Sequence, residues 1–436
     1  MSSTSISQQG CFTDLHPLMS LSEASSEADR CYFCYDAPCT EACPTDIDVP
    51  VFIQKIRSGN VTGSARTILS ENIMGAMCAR VCPTEILCEQ ACVRNTQQDK
   101  TVEIGALQRF ATEAVVQNKQ QLFVRGAETG KHVAIVGGGP AGLACAHRLS
   151  MFGHAVTILE ANDKLAGLNE YGIAAYKATD NIAAREAEYI LGIGGIDVKT
   201  KQCLGRDFTL ADLTDQYDAA FLSLGLGNTR KLGIDNEDVD GVLDAVDYIA
   251  DLRQSKPNLP VAKNVVVIGG GMTAIDVAVQ SKLLGAQDVT IAYRRGQAQM
   301  AASLHEQELA QTHGIQIRYY LSPKQIIQDD GRLSAVAFES MTANEDGSLQ
   351  SNGEVLTLPA NLVFKAIGQL LVSEYLKELT LESGRIVVDD SRRTSLNGVW
   401  AGGDCVLGGD NLTVSAVQDG KLAAISIHQM LDQETA

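Results

Sequence analysis

His132-Val133-Ala134-Ile135-Val136-Gly137-Gly138-Gly139-Pro140-Ala141-Gly142 opens as a β-rich apolar run and closes in the spacing Gly-x-Gly-x-x-Gly. A helical stretch to Phe152 follows, then a second apolar strand, Ala155 to Leu159, ending at Glu160. Strand, glycine turn, helix, strand and acid in this order are the parts of a dinucleotide-binding unit. Gly137 permits the tight turn, Gly139 lets the backbone approach a pyrophosphate, and Gly142 lets the helix pack closely on the strand. The helix N-terminus offers free N–H groups to the phosphates. Glu160, 21 residues after Gly139, can accept hydrogen bonds from a ribose diol. A lone glycine motif is weak, because ordinary glycine-rich turns share it; the flanking strands and the acid make this one specific.

The pattern starts again at Asn264 to Ile268. Gly269, Gly270, Gly271, Met272, Thr273 and Ala274 form Gly-x-Gly-x-x-Ala, followed by a helix to about Leu284 and a strand from Asp288 to Tyr293. No acid ends this second strand; Arg294 and Arg295 do. Two guanidinium groups there suit a 2′-phosphate, so NADP is expected, with NAD as the alternative. The bland reading is a solvated surface pair.

Upstream lie eight of the chain's twelve cysteines. Cys31, Cys34, Cys39 and Cys43 precede Pro44; Cys78, Cys82, Cys88 and Cys92 enclose Pro83. Paired groups with a Cys-Pro step in each point to two [4Fe–4S] clusters, whose irons are held by thiolates from short loops. The run Cys-x2-Cys-x4-Cys-x3-Cys-Pro has a longer middle loop than the ferredoxin run and is a variant of it. Structural zinc would favour Cys-x2-Cys pairs on both sides, which the second group lacks. Disulfides need an oxidising compartment, and no export signal precedes the cysteines. Chemistry alone assigns all eight as ligands.

The chain has 436 residues, 45% hydrophobic and 20% charged, with a net charge of −18. That length holds two to four domains. The acidic balance excludes a nucleic-acid backbone binder, and no apolar run is long enough to span a bilayer. Met1 to Gly10 reads as a polar tail, and clustered thiols without a leader fit the cytoplasm. Helical spacing recurs at Val49 to Ser58, Ser64 to Asn72 and Ile104 to Gln117. The expected fold class is α/β: a helical iron–sulfur domain followed by two nested Rossmann-type domains for FAD and NAD(P). The expected boundaries are 1–120 for the cluster domain, 121–240 and 371–436 for the FAD domain, and 241–370 for the NAD(P) domain.

Nesting of two dinucleotide units resembles the flavin disulfide-reductase type. Phe221-Leu222-Ser223-Leu224-Gly225 looks like the strand closing the first flavin half, and Val363 to Gly368 like its counterpart in the nucleotide domain. Trp400-Ala401-Gly402-Gly403-Asp404 is similar to the second flavin motif, in which the Asp contacts the ribityl or phosphate side of FAD. Gln418-Asp419-Gly420 is expected to open a helix from Lys421 to Leu431, its N-terminus toward the flavin. The resemblance thus implies FAD contacts at Gly225, Gly403, Asp404, Gln418 and Gly420, and a nucleotide contact at Gly368. Yet Cys145, Cys203 and Cys405 stand alone, and a disulfide reductase needs a dithiol beside its flavin.

Clusters, FAD motif and NADP motif together resemble the glutamate synthase small-subunit family. Asp36-Ala37-Pro38-Cys39, Ala42-Cys43-Pro44-Thr45, Val81-Cys82-Pro83-Thr84 and Ile104-Gly105-Ala106-Leu107-Gln108-Arg109-Phe110 look still more like dihydropyrimidine dehydrogenase, in its bacterial pyridine-nucleotide (PreT-type) subunits. That resemblance implies one cluster on Cys31, Cys34, Cys39 and Cys92. It implies a second on Cys43, Cys82, Cys88 and the amide oxygen of Gln108, with Cys78 a spare thiol. It also implies a hetero-oligomer with an FMN- and iron–sulfur-containing dihydropyrimidine dehydrogenase subunit (PreA type) that reduces uracil and thymine. A glutamine-dependent partner, or a scaffold subunit without turnover, are the alternatives. No side chain is expected to act as acid or base. Where relatives have Gly-Ile-Pro-x-Phe-Arg-Leu-Pro, this chain has Gly172-Ile173-Ala174-Ala175-Tyr176-Lys177-Ala178-Thr179, which leaves the contacts of that loop open.

Overall fold

The computed structural model describes residues 12–97, 100–256 and 259–433; the tail read at Met1 to Gly10 lies outside them. The chain divides into two compact units. One comprises His16–Glu170, Asp180–Gly227 and the chain from Leu371 onward; the other comprises Tyr171–Thr179, Asn228–Leu370 and the described residues up to Leu15.

The first unit begins with helices. These are α1 (Leu21–Ala28), α2 (Pro38–Glu41), α3 (Val49–Arg57), α4 (Val61–Glu71), α5 (Gly75–Val81) and α6 (Ile104–Gln117). Ser20 and Glu23 form a capping box at the start of α1, and Asp48 and Asn60 cap α3 and α4, each satisfying N–H groups that a helix start leaves free. Their apolar stripes meet in a small core of Phe52, Ile53, Ile56, Ile68, Ile104 and Leu107, with Cys31, Cys39, Cys43, Cys88 and Cys92 at its margin. So thin a core leaves room for bound metal to supply stability.

The same unit continues into a parallel sheet. Its strands are β1 (His132–Val136), β2 (Ala155–Glu160), β3 (Ile196–Thr200), β4 (Ala219–Leu222) and, much later, β17 (Val399–Ala401), in the order β17-β4-β1-β2-β3. Four short helices cross or flank it: α7 (Pro140–Met151), the single-turn α8 (Leu168–Tyr171), α9 (Ile182–Leu191) and α10 (Leu210–Gln216). β15 (Leu381–Glu382) and β16 (Arg385–Ile386) form a small ribbon. The last helix, α14, runs Thr413–Gln433 and packs along α7. It begins eight residues before the expected Lys421, so Gln418, Asp419 and Gly420 lie within it rather than before it. The interior glycine has a packing reason: a Cβ at Gly420 would stand 2.1 Å from the Ala141 carbonyl oxygen of α7.

The second unit carries the other dinucleotide fold. Its parallel sheet has β6 (Val242–Asp244), β7 (Asn264–Gly269), β8 (Asp288–Ala292), β9 (Gln316–Arg318) and β13 (Leu362–Ala366), in the order β6-β13-β7-β8-β9. One face packs on α11 (Ala245–Arg253), α12 (Met272–Leu283) and α13 (Leu304–Thr312). The other packs Val266, Ile268 and Ala292 against Ile326, Val336 and Phe338. Those three belong to an antiparallel meander of β10 (Leu321–Asp329), β11 (Arg332–Ala343) and β12 (Leu349–Pro359). β5 (Asn228–Thr229) and β14 (Gln369–Leu370) pair where the chain enters and leaves this unit. Among the described residues no helix is long and apolar enough to cross a membrane.

Candidate functional site

The glycine turn after β1 is built for close approach. Gly137 has φ +100°, and a Cβ there would stand 2.2 Å from the Ser223 carbonyl oxygen, so this conformation excludes side chains. Gly139 is the N-cap of α7 with no side chain capping it, and the nearest heavy atom to a Cβ there would be Gly167 Cα at 3.9 Å. Free N–H groups and an open approach are what a pyrophosphate needs. Glu160 is buried; Oε2 accepts the Gly138 N–H at 2.7 Å, and Oε1 accepts from Asn162 N at 2.7 Å. Asn162 Nδ2 donates to Oε1 as well, at 3.0 Å; a carboxylate has about four acceptor sites, so one remains for a ribose hydroxyl.

Across the sheet, Gly225 and Gly403 have φ of +64° and +86°. Asp404 Oδ1 lies 3.7 Å from where a Gly225 Cβ would sit. Burial raises the Asp404 carboxyl above the usual carboxylate range. Gly403 N donates to Asp419 Oδ2 at 2.8 Å, and Arg392 pairs with Asp419 Oδ1 at 2.7 Å. Gln418 Oε1 is buried without a hydrogen-bond partner among the described residues. A buried acceptor left open is costly, and a bound group donating to it removes the cost. The residues present therefore fit a dinucleotide with a ring system at the α14 side.

In the second unit Gly269 turns sharply, its Cβ position 2.1 Å from the Ala366 carbonyl oxygen. Gly271 caps α12 with nothing within 4 Å of a Cβ there. Gly270 packs on the Tyr293 ring, Met272 and Thr273 open α12, and Gly368 has φ +97°. Arg294 and Arg295, just past β8, are exposed, and no described residue hydrogen-bonds to or ion-pairs with either side chain. The altered Gly172–Thr179 segment also belongs to this unit. The Tyr176 hydroxyl donates to Asp276 Oδ1 at 3.1 Å, and Lys177 lies between Asp276 and Glu306 at 2.7 and 2.6 Å. Burial opposes the Lys177 charge, but the two carboxylates outweigh it and raise its pKa. The segment is thus anchored on α12 and α13, whose residues lie about a hundred positions away in sequence.

The cysteines fall into two neighbourhoods. Cys31, Cys34, Cys39 and Cys92 line one pocket, with Tyr32, Pro38, Ile53 and Arg94 around them. Burial pushes the Cys39 thiol up to about 12, with Cys31 and Cys92 adding to the shift. Cys82 and Cys88 are raised well above the thiol range: Cys82 first through a hydrogen bond with Cys78 and then by burial, Cys88 by burial and then Glu89. Cys43 presses on both. Crowded, half-buried thiols resist ionising alone, and iron removes that resistance by binding the thiolate. Among the described residues no three Cys, His, Asp or Glu side chains close on one point as ligands of a single ion do. The thiolates of a cluster bind different irons and stand farther apart.

The second neighbourhood holds five candidate donors. Cys78 sits one turn before Cys82 on α5, its backbone carbonyl accepting the Cys82 N–H. Gln108 is buried on α6, and its Nε2 donates to the Gly75 carbonyl at 2.8 Å, which leaves the amide oxygen as its free end. Gln108→Ala is expected to lower the iron content and Cys78→Ala to leave it unchanged, read by iron and acid-labile sulfide assay; the reverse pattern returns Cys78 to the ligand set.

A glycine cradle at each of two sheets and two cysteine nests define a flavin- and nucleotide-binding oxidoreductase with an iron–sulfur module. Residues 131–420 match the pyridine nucleotide-disulphide oxidoreductase family, and the chain belongs to it. Residues 8–120 match the family described as dihydropyrimidine dehydrogenase domain II, 4Fe-4S cluster. A Salmonella typhi protein named NAD-dependent dihydropyrimidine dehydrogenase subunit PreT homolog is 34% identical over 98% of this chain and 98% of its own. The Escherichia coli glutamate synthase [NADPH] small chain is 32% identical over 97% of this chain and 94% of its own. Among solved structures, Mycobacterium tuberculosis FprA with NADPH aligns at a TM-score of 0.60 and 21% identity, covering 70% of this chain and 85% of that one. The chain is an FAD-dependent NAD(P)H oxidoreductase with a 4Fe–4S module.

Proposed function

We propose that this chain is the NAD(P)H-oxidising subunit of a dihydropyrimidine dehydrogenase, feeding electrons to a separate FMN- and iron–sulfur-containing subunit of the PreA type that reduces uracil or thymine. When bound, FAD supplies the conversion of a two-electron hydride into single electrons, and the clusters supply one-electron relay. The chain's own residues hold and shield these groups. Gly137 to Gly142 and Glu160 bind the FAD diphosphate and ribose, with Gly225, Asp404, Gln418 and Gly420 nearer the ring. Gly269 to Thr273, Gly368, Arg294 and Arg295 hold the nucleotide. Cys31, Cys34, Cys39 and Cys92 ligate one cluster; Cys43, Cys82, Cys88 and Gln108 ligate the other.

The observation that carries the reading is the pairing of these two nests with a flavin fold that lacks a dithiol. Every described cysteine is a free thiol, and Cys145 and Cys405 are buried singly. Exposure supports one order along the path. The Thr45 turn after Cys43 is held by α14, whereas the Cys31 set lies beside Tyr32 and Tyr35, which are 48% and 105% exposed. On this reading the Cys43 set would stand on the flavin side and the Cys31 set on the side of the partner. A cytoplasmic setting suits cysteines clustered as metal ligands.

The test mixes components. Alone, the chain is expected to reduce dyes with NADPH and leave uracil untouched. With the FMN subunit it is expected to oxidise one NAD(P)H per uracil reduced, in a stable hetero-oligomer burying more than about 1,000 Å². Glutamate formation with a glutamine-dependent large subunit, in place of uracil reduction, would reassign the partner.

A further inference from the structure

Lys421 is not among the residues read as holding a nucleotide, yet it is a charged side chain only 10% exposed. It follows Gly420 on α14. Its Nζ donates to the Thr45 carbonyl oxygen at 3.0 Å and lies 3.0 Å from Glu71 Oε2. Thr45 is fully buried, follows Cys43-Pro44, and its Oγ1 lies 3.3 Å from Cys43 Sγ. One side chain therefore links the helix packed on the glycine-turn helix α7 to the loop of a cysteine read as a cluster ligand.

The pair is lopsided. The Glu71 side chain is 42% exposed and keeps water, whereas the Lys421 ammonium is enclosed beside the cysteine loop. Enclosing a charge costs free energy unless it is paired and hydrogen-bonded, and here the partner that offsets the cost is itself half in water. A positive charge in a low-dielectric setting favours an added electron close by, and net charge around a cluster is one of the protein's controls on its potential.

We propose that Lys421 is a positioning residue for electron transfer: it holds the Cys43-Pro44-Thr45 turn against α14 and raises the reduction potential of the cluster that Cys43 ligates. This rests on the reading of Cys43 as a ligand. The alternative is a plain staple between α14 and α4.

The experiment uses full-length, anaerobically purified holoprotein and its Lys421→Met, Lys421→Arg and Glu71→Gln variants. Each is assayed for iron and sulfide, redox-titrated by electron paramagnetic resonance, and melted. Lys421→Met is expected to shift one cluster's potential negative by about 59 mV, a tenfold change in a one-electron equilibrium, with Lys421→Arg near wild type. Glu71→Gln removes a negative charge and keeps the Thr45 contact, so it is expected to shift the same potential positive. Should Lys421→Met fail to load the cluster, the sign of the Glu71→Gln shift decides. Unmoved potentials with lowered melting temperatures in both variants would overturn the proposal and leave the staple. A wild-type protein without labile sulfide would overturn the ligand reading first, and is seen before any variant is compared.

Discussion

Cys39→Ser is expected to cut partner-coupled turnover by at least about 100-fold while NADPH-driven dye reduction stays within about twofold of wild type. Loss of a hydrogen bond to a metal ligand already costs about 10–100-fold, and Cys39 belongs to the proposed ligand set itself. It lines the same pocket as Cys31, Cys34 and Cys92. Its thiol is half-buried and pushed up to about 12 by that burial and by Cys31 and Cys92. Serine there is a poor iron ligand, so about four of eight irons should be lost. FAD and nucleotide contacts involve other residues, so hydride acceptance should survive. Equal loss of dye reduction and coupled turnover would show that the Cys31 set does not stand on the exit side of the path.

Arg294→Ala and Arg295→Ala are each expected to weaken NADPH by at least tenfold and to spare NADH, with the double variant losing more than either. Both side chains are exposed past β8 and engaged by no described residue, so no internal ion pair competes for them. A charge-assisted hydrogen bond contributes about 1.5–3 kcal/mol, or about 10- to 150-fold. The measurement is KM for NADPH and NADH side by side. Relatives divide on this point, one named for NAD and another for NADPH. Equal loss with both nucleotides would show that the arginines do not read the 2′-phosphate.

The two dinucleotide units were legible because their glycines answer to backbone geometry. Gly137 and Gly269 stand where a Cβ would meet a carbonyl oxygen at 2.2 and 2.1 Å, and such positions leave a fixed spacing in any sequence. Helix α6, Ile104–Gln117, was legible from its apolar spacing, and it appears with those limits. The meander was not. No residue of β12 from Leu349 to Val355 is buried, so that stretch lacks the alternation that marks a half-buried strand. The early start of α14 was hidden by Gly420, which reads locally as a break and is kept for contact with α7. Lys177 and Lys421 were silent for another reason. Their partners Glu306 and Thr45 lie 129 and 376 positions away, and no local pattern records such pairs.

The central claim, a flavin reductase joined to two clusters within one chain, is tested most directly by the iron and acid-labile sulfide content per FAD of the anaerobically purified protein. About eight of each per FAD is the expected result. One or two zinc ions per chain with little labile sulfide would contradict it.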